Sequence, residues 1–106
     1  MKFYDIDGNE IDGGQWIDLF RDNDYRQVAY WQYEGCWVST VWLGCDYGCI
    51  PSSTTPVIFE TMFYCNHLLN DQAIERYSTL NKALEGHKVW IEVAKEIHSA
   101  IEDEDQ

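Results

Sequence analysis

The sequence predicts an α+β domain: an antiparallel sheet of three to five strands, with a short N-terminal helix and a long C-terminal helix packed on one face. Three observations predict it. Residues 25–43 hold two adjoining runs, YRQVAYWQY and CWVSTVWL, split by Glu34-Gly35; aromatic and β-branched runs about a short turn are the pattern of a β-hairpin. Residues 80–101 carry Leu80, Leu84, His87, Ile91, Ala94, His98 and Ile101 every three or four positions, which is an amphipathic helical stripe. The order β, α, a run of strands, then α suits a sheet whose helices segregate to one face.

In chain order, Lys2 to Asp5 reads as a short strand and Glu10-Ile11 as its hairpin arm, with the turn at Asp7-Gly8 or Gly8-Asn9. Asp12 is placed to cap a helix from Gly13 to about Asp22, whose Trp16, Leu19 and Phe20, widened by Ile17, share one face. Asp22-Asn23-Asp24 is expected to end it. The strand Tyr25 to Tyr33 and the strand Cys36 to Leu43 follow. The second is apolar on both parities, so a central strand covered on two sides is expected. Gly44 to Thr55 is a long loop for so short a chain. Pro56 opens a strand from Val57 to Cys65, Asn66 to Ala73 is a turn region, and Ile74 to Tyr77 is a short strand. Ser78 or Thr79 caps the last helix, where Ala83, Trp90 and Ile97 broaden the stripe and Lys82, Glu85, Lys88 and Glu92 form weak surface pairs. Residues 1–101 make one domain and 102–106 an acidic tail.

Composition narrows the function. A hydrophobic share of 45% and an aromatic share of 15% argue for a packed core. Nineteen Asp and Glu face seven Lys and Arg, a formal charge of −12. Glu102, Asp103, Glu104 and Asp105 account for four of the acids, which leaves −8 on the body. Duplex DNA and anionic membranes attract basic faces, so direct binding to either is disfavoured. A protein partner with a basic surface fits instead. No run reaches the roughly 20 apolar residues of a spanning helix. The polar stretch Met1 to Asp12 has no signal-peptide pattern. The expected location is therefore the cytoplasm, with the cysteines as thiols.

Val38-Ser39-Thr40-Val41-Trp42-Leu43-Gly44, Pro56 to Phe63 (PVIFETMF), Glu75-Arg76-Tyr77-Ser78-Thr79 and Ala83-Leu84-Glu85-Gly86-His87 together resemble a family of small uncharacterised proteins of phages and bacteria. Its pattern runs VSTVWLG, a Gly-Pro-rich loop, PxIFETMxF, RYST and ALxGH, and the likeness covers about residues 24 to 88. The resemblance implies a phage-associated accessory role in a bacterial host cell and no particular chemistry. The chain departs from it in the loop: relatives carry Asp-His, an aromatic and glycines where Asp46-Tyr47-Gly48-Cys49-Ile50-Pro51-Ser52 stand here.

Candidate sites follow from residue type. Cys45, Cys49, Cys65 and His67 are a weak tetrahedral metal set, weakened by a C-x3-C spacing where structural zinc favours C-x2-C. No G-x-S-x-G, H-E-x-x-H, P-loop or Rossmann glycine pattern is present, so neither catalysis nor a cofactor is expected. His87 and His98 fall on the helix stripe as packing residues. Glu60 is expected to pair with Arg76 or Arg26 or to lie exposed. The sheet face away from the helices should carry several aromatic rings, a surface suited to a protein partner or to a homodimer. The binding residues expected on an acidic and aromatic surface are Asp18, Asp22, Asp24, Glu34, Asp46, Tyr47 and Glu60. The leading expectation is a non-enzymatic acidic protein that docks on a basic surface of a host or defence protein, in its sharpest form as a nucleic-acid mimic. The alternatives are a small-molecule or peptide module built on loop 44–55 and a cysteine- or zinc-dependent enzyme.

Overall fold

The computed structural model of the chain describes residues 1–46, 55–65 and 72–104. A two-stranded hairpin, β1 (Phe3–Tyr4) and β2 (Glu10–Ile11), leads into α1 (Gly13–Phe20) and α2 (Asn23–Arg26). Then come β3 (Gln27–Tyr33), β4 (Cys36–Trp42), β5 (Phe59–Cys65), β6 (Gln72–Tyr77) and α3 (Leu80–Glu104). The last four strands form one antiparallel sheet in the order β3-β4-β5-β6. The expected α+β architecture holds, with α3 laid along the sheet.

Local chemistry explains the elements. Asp12 caps α1 in a full capping box: its carboxylate accepts from Gln15 N–H at 2.8 Å, and the Gln15 amide oxygen accepts from Asp12 N–H at 3.0 Å. Asp22 was expected to stop a helix; it starts one instead. Its carboxylate accepts from Asp24 N–H at 3.0 Å and Tyr25 N–H at 3.3 Å, so Tyr25 and Arg26 belong to α2 and β3 begins at Gln27. Glu34 and Gly35 have φ of 42° and 84°, as a two-residue hairpin turn matched to the strand twist requires. Thr79 caps α3, its Oγ1 accepting from Lys82 N–H at 3.2 Å.

β4 is central but covered on one side only. Cys36, Val38, Thr40 and Trp42 are buried, while Trp37, Ser39 and Val41 are half-buried. β5 repeats this, with Phe59, Thr61, Phe63 and Cys65 buried beside them. α3 packs on this buried face, presenting Ala83, Gly86, His87 and Ala94. Leu84, counted in the predicted stripe, is 37% exposed; it sits at the rim of the face that Ala83 and His87 centre.

Between sheet and helix lie two apolar clusters. Trp42, Ile58, Phe59, Tyr77 and Ala83 form one, roofed by Trp16, Leu19, Phe20 and Tyr25 of the N-terminal layer. Cys36, Val38, Phe63, Cys65 and Ala94 form the other. A polar seam on the same face joins Thr40 Oγ1 to Thr61 Oγ1 at 2.7 Å and to His87 Nδ1 at 2.8 Å, so this buried hydrogen-bonding capacity is met. Cys36 and Cys65, directly paired across β4 and β5, form a disulfide. That corrects the expectation of free thiols: the ladder register sets the two side chains opposite each other.

Candidate functional site

The residues expected to bind do not converge on one patch. Asp18, Asp22 and Asp24 lie in the N-terminal layer. Glu34 sits at the opposite end, on the β3–β4 turn, where it meets His98 Nε2 at 2.9 Å. Asp46 accepts from Val57 N–H at 3.0 Å and so ties down the loop's exit. Glu60 lies mid-sheet on the face away from α3 and bonds Arg76 Nε at 2.9 Å, the cross-strand pair expected. Tyr47, Cys49 and His67 lie outside the described residues. Cys65 is bonded to Cys36, which removes it from the four-ligand metal set; Cys45 is a buried thiol. Among the described residues no three His, Cys, Asp or Glu side chains are grouped to hold a metal ion.

What the structure does bring together is an acidic groove. The Phe3 ring stacks on Trp16 at 4.8 Å and seats the β1–β2 hairpin against α1. Between hairpin and helices, Asp5, Ile11, Gln15, Asp18, Leu19 and Tyr25 line a cleft of about 430 Å³. Tyr25 anchors it: its hydroxyl accepts from Ile6 N–H at 2.8 Å, and its ring meets Trp42 edge-on at 4.9 Å. Burial pushes the Tyr25 phenol above its ordinary value, the Ile6 hydrogen bond opposes this, and the charges of Asp5 and Asp7 add smaller upward contributions.

Residues 1–26 hold seven carboxylates, Asp5, Asp7, Glu10, Asp12, Asp18, Asp22 and Asp24, against Lys2, Arg21 and Arg26. Local structure engages several of these groups. Asp5 accepts from the backbone of Asp7 at 3.0 Å and of Asn9 at 2.9 Å, and Asp12 and Asp22 cap helices. Glu10 meets Lys2 at 3.6 Å. Arg26 lies over the Phe20 ring at 4.6 Å. Asp7, Asp18 and Asp24 remain exposed, without a partner among the described residues. The described side chains of α3 up to residue 100 balance instead, Lys82, Lys88 and Lys95 against Glu85, Glu92 and Glu96. The described strands and their connections add Glu34, Asp46, Glu60 and Glu75 against Arg76, so the described body carries −4 over residues 1–26, −3 over the sheet region and none on α3 to residue 100, with the densest negative charge in the N-terminal layer.

A second hollow of about 390 Å³ lies between the hairpin turn, Thr55-Pro56 and the start of α3, lined by Ile6, Asp7 and Ser78 to Asn81. The face away from α3 carries Tyr30, Trp37, Val41, Met62 and Tyr64, with Trp37 and Tyr64 stacked at 5.8 Å. The expected aromatic face therefore exists, though it is half-buried apart from Tyr30.

Sequence reasoning found Asp18 but missed Asp5, Ile11 and Tyr25 as its groove partners. The available signal was a capped helix following a short hairpin at once, which forces the two to pack. No protein-family model matches the chain, and no curated protein or solved structure matches it either. No described helix is long and apolar enough to cross a membrane.

Proposed function

We propose that the chain is a non-enzymatic docking protein whose N-terminal acidic layer receives basic side chains of a protein partner. The observation that carries this is the groove itself. Ile11, Leu19 and Tyr25 offer apolar wall to the methylene stem of a lysine or arginine, while Asp5 and Asp18 stand at the same cleft for its cationic head. Exposed Asp7 and Asp24 add field that speeds encounter with a positive surface. The resemblance to phage-borne proteins supports a host or defence protein as the partner, and a nucleic-acid-binding groove is the kind of basic surface that fits. The reading does not require the cytoplasm. The Cys36–Cys65 bond favours an oxidising setting, and the groove works in either.

The test uses a lysine- and arginine-rich peptide as probe, titrated calorimetrically at low and raised salt. Affinity should fall as salt rises. It should drop further in the combined Asp7→Asn, Asp18→Asn and Asp24→Asn variant, and stay put in Glu92→Gln with Glu96→Gln. Binding that ignores salt, or that the α3 variant weakens as much as the layer variant, sinks the reading.

A further inference from the structure

β3 is an edge strand of an unusual kind for so charged a chain. Gln27-Val28-Ala29-Tyr30-Trp31-Gln32-Tyr33 contains no charged residue and no proline, the two devices that most often protect an exposed edge. Its one irregularity is a bulge between Gln27 and Ala29, sealed where Gln27 Nε2 donates to Ala29 O at 2.8 Å and Thr40 O at 3.2 Å. The other edge, β6, is guarded: Glu75 and Arg76 are exposed on it, and its register with β5 shifts.

The pairing pattern shows which groups of β3 face outward. Tyr33 and Cys36 flank the two-residue turn, so they are a hydrogen-bonded pair, and bonded pairs alternate along the ladder. Trp31 and Ala29 therefore bond inward to β4. The N–H and C=O of Tyr30 and Gln32 point away from it, and no backbone partner for them exists among the described residues. The side chains agree: Tyr30 is 53% and Tyr33 50% exposed.

We propose that two copies of this chain pair through β3, antiparallel about a twofold axis, continuing the sheet from four strands to eight. With Trp31 on the axis, Tyr30 and Gln32 of each copy exchange main-chain hydrogen bonds. The strand is complementary to itself under that symmetry, as an isologous contact requires. Charge selects the same occupant. Two chains of −12 repel wherever carboxylates stand, and β3 has none. A more basic partner gains nothing there over the acidic layer. A single strand edge is a small contact beside the ~1,200 Å² at which stable interfaces begin, so the dimer is weak and forms at high concentration. This pairing is independent of the acidic groove and has the opposite salt response, so the two readings fail separately.

The experiment is sedimentation equilibrium over a concentration series at low and raised salt. The weight-average mass should climb from the 12.5 kDa chain toward twice that value, and climb further in raised salt as repulsion is screened. Tyr30→Lys places a charge on the edge. Gln32→Pro removes an outward N–H while sparing the β4 ladder. Both should hold the chain at monomer mass with little change in Tm, whereas Val89→Lys on exposed α3 should leave the dimer intact. Wild type at monomer mass at the highest concentration in raised salt overturns the proposal, as does a dimer that neither β3 variant disturbs.

Discussion

Gly86 sits inside α3, where glycine ordinarily costs about 1 kcal/mol relative to alanine. The reason it is there is Tyr77: a Cβ at position 86 would fall on the Tyr77 hydroxyl and the adjoining ring atoms. The ring thus lies flush against the helix backbone. Gly86→Ala should therefore destabilise despite the better helix propensity, by roughly 1–3 kcal/mol of overpacking, read by urea unfolding. A gain in stability would mean that the ring has room to move. His87, one residue on, closes the polar seam. Burial pushes its imidazole below the ordinary 6.5, so the folded state resists a proton that the unfolded chain accepts. Stability is then complete above about 6.5 and is lost as pH falls from there toward the lowered folded-state value. His87→Gln can keep a hydrogen bond to Thr40 but cannot titrate. Tm measured between neutral and mildly acidic pH should fall less steeply in His87→Gln than in wild type. Parallel slopes would remove His87 from the acid response.

Elements formed by local chemistry were legible from the sequence. The β3–β4 hairpin was readable because Glu34-Gly35 divides two strand-like runs. α1 was readable from Asp12, and α3 from its stripe and the Thr79 cap. What failed needed long-range register. Whether Asp22 ends a helix or begins one is decided by where Tyr25 docks, on Trp42 and Ile6, not by the Asp-Asn-Asp triplet. One-sided burial of β4 could not be told from two-sided burial, because Trp37 and Val41 are apolar on the open face too. The groove was half legible: acidic residues are visible in any sequence, but the pairing of Asp5 with Asp18 exists only once Phe3 stacks on Trp16. The disulfide was hidden for the same reason, since Cys36 and Cys65 are 29 residues apart and meet only through the β4–β5 register. Closing a loop of that length contributes roughly 3–4 kcal/mol by restricting the unfolded chain. The double variant Cys36→Ala, Cys65→Ala should lose that much in urea unfolding, with a larger m-value because the unlinked denatured chain exposes more surface. Both cysteines are at most 1% exposed, so labelling of Cys36 and Cys65 themselves, located by peptide mapping, should appear only when denaturant accompanies the reductant.

The molecule is elongated, 54 × 30 × 23 Å, with α3 laid along the sheet. Leu80 to His98 covers roughly 27 Å at 1.5 Å per residue, about the span of a seven-residue strand with its turn, and His98 meets Glu34 at the hairpin tip. α3 continues beyond His98 to Glu104. The densest negative charge lies in the N-terminal layer, seven carboxylates against three cations over residues 1–26. Repulsion acts above all within that layer, where carboxylates stand closer than they can be screened at low salt. The exposed attractions are weak: Lys2–Glu10 and Lys95–Glu92 are exposed on both sides, and such pairs contribute about 0–1 kcal/mol, which leaves Glu60–Arg76, with Glu60 largely buried, as the less screened pair. At −12, self-repulsion should outweigh them, so Tm should rise by a few degrees as salt is raised from about 0.01 M, where the screening length is roughly 30 Å, and level off near 0.15 M. Sodium chloride and sodium sulfate matched in ionic strength should give the same curve if screening is the cause. A Tm that falls with salt would mean the ion pairs dominate the folded state. The same result would leave the acidic layer too weak a source of field to draw in a basic partner, since one set of carboxylates is responsible for both effects.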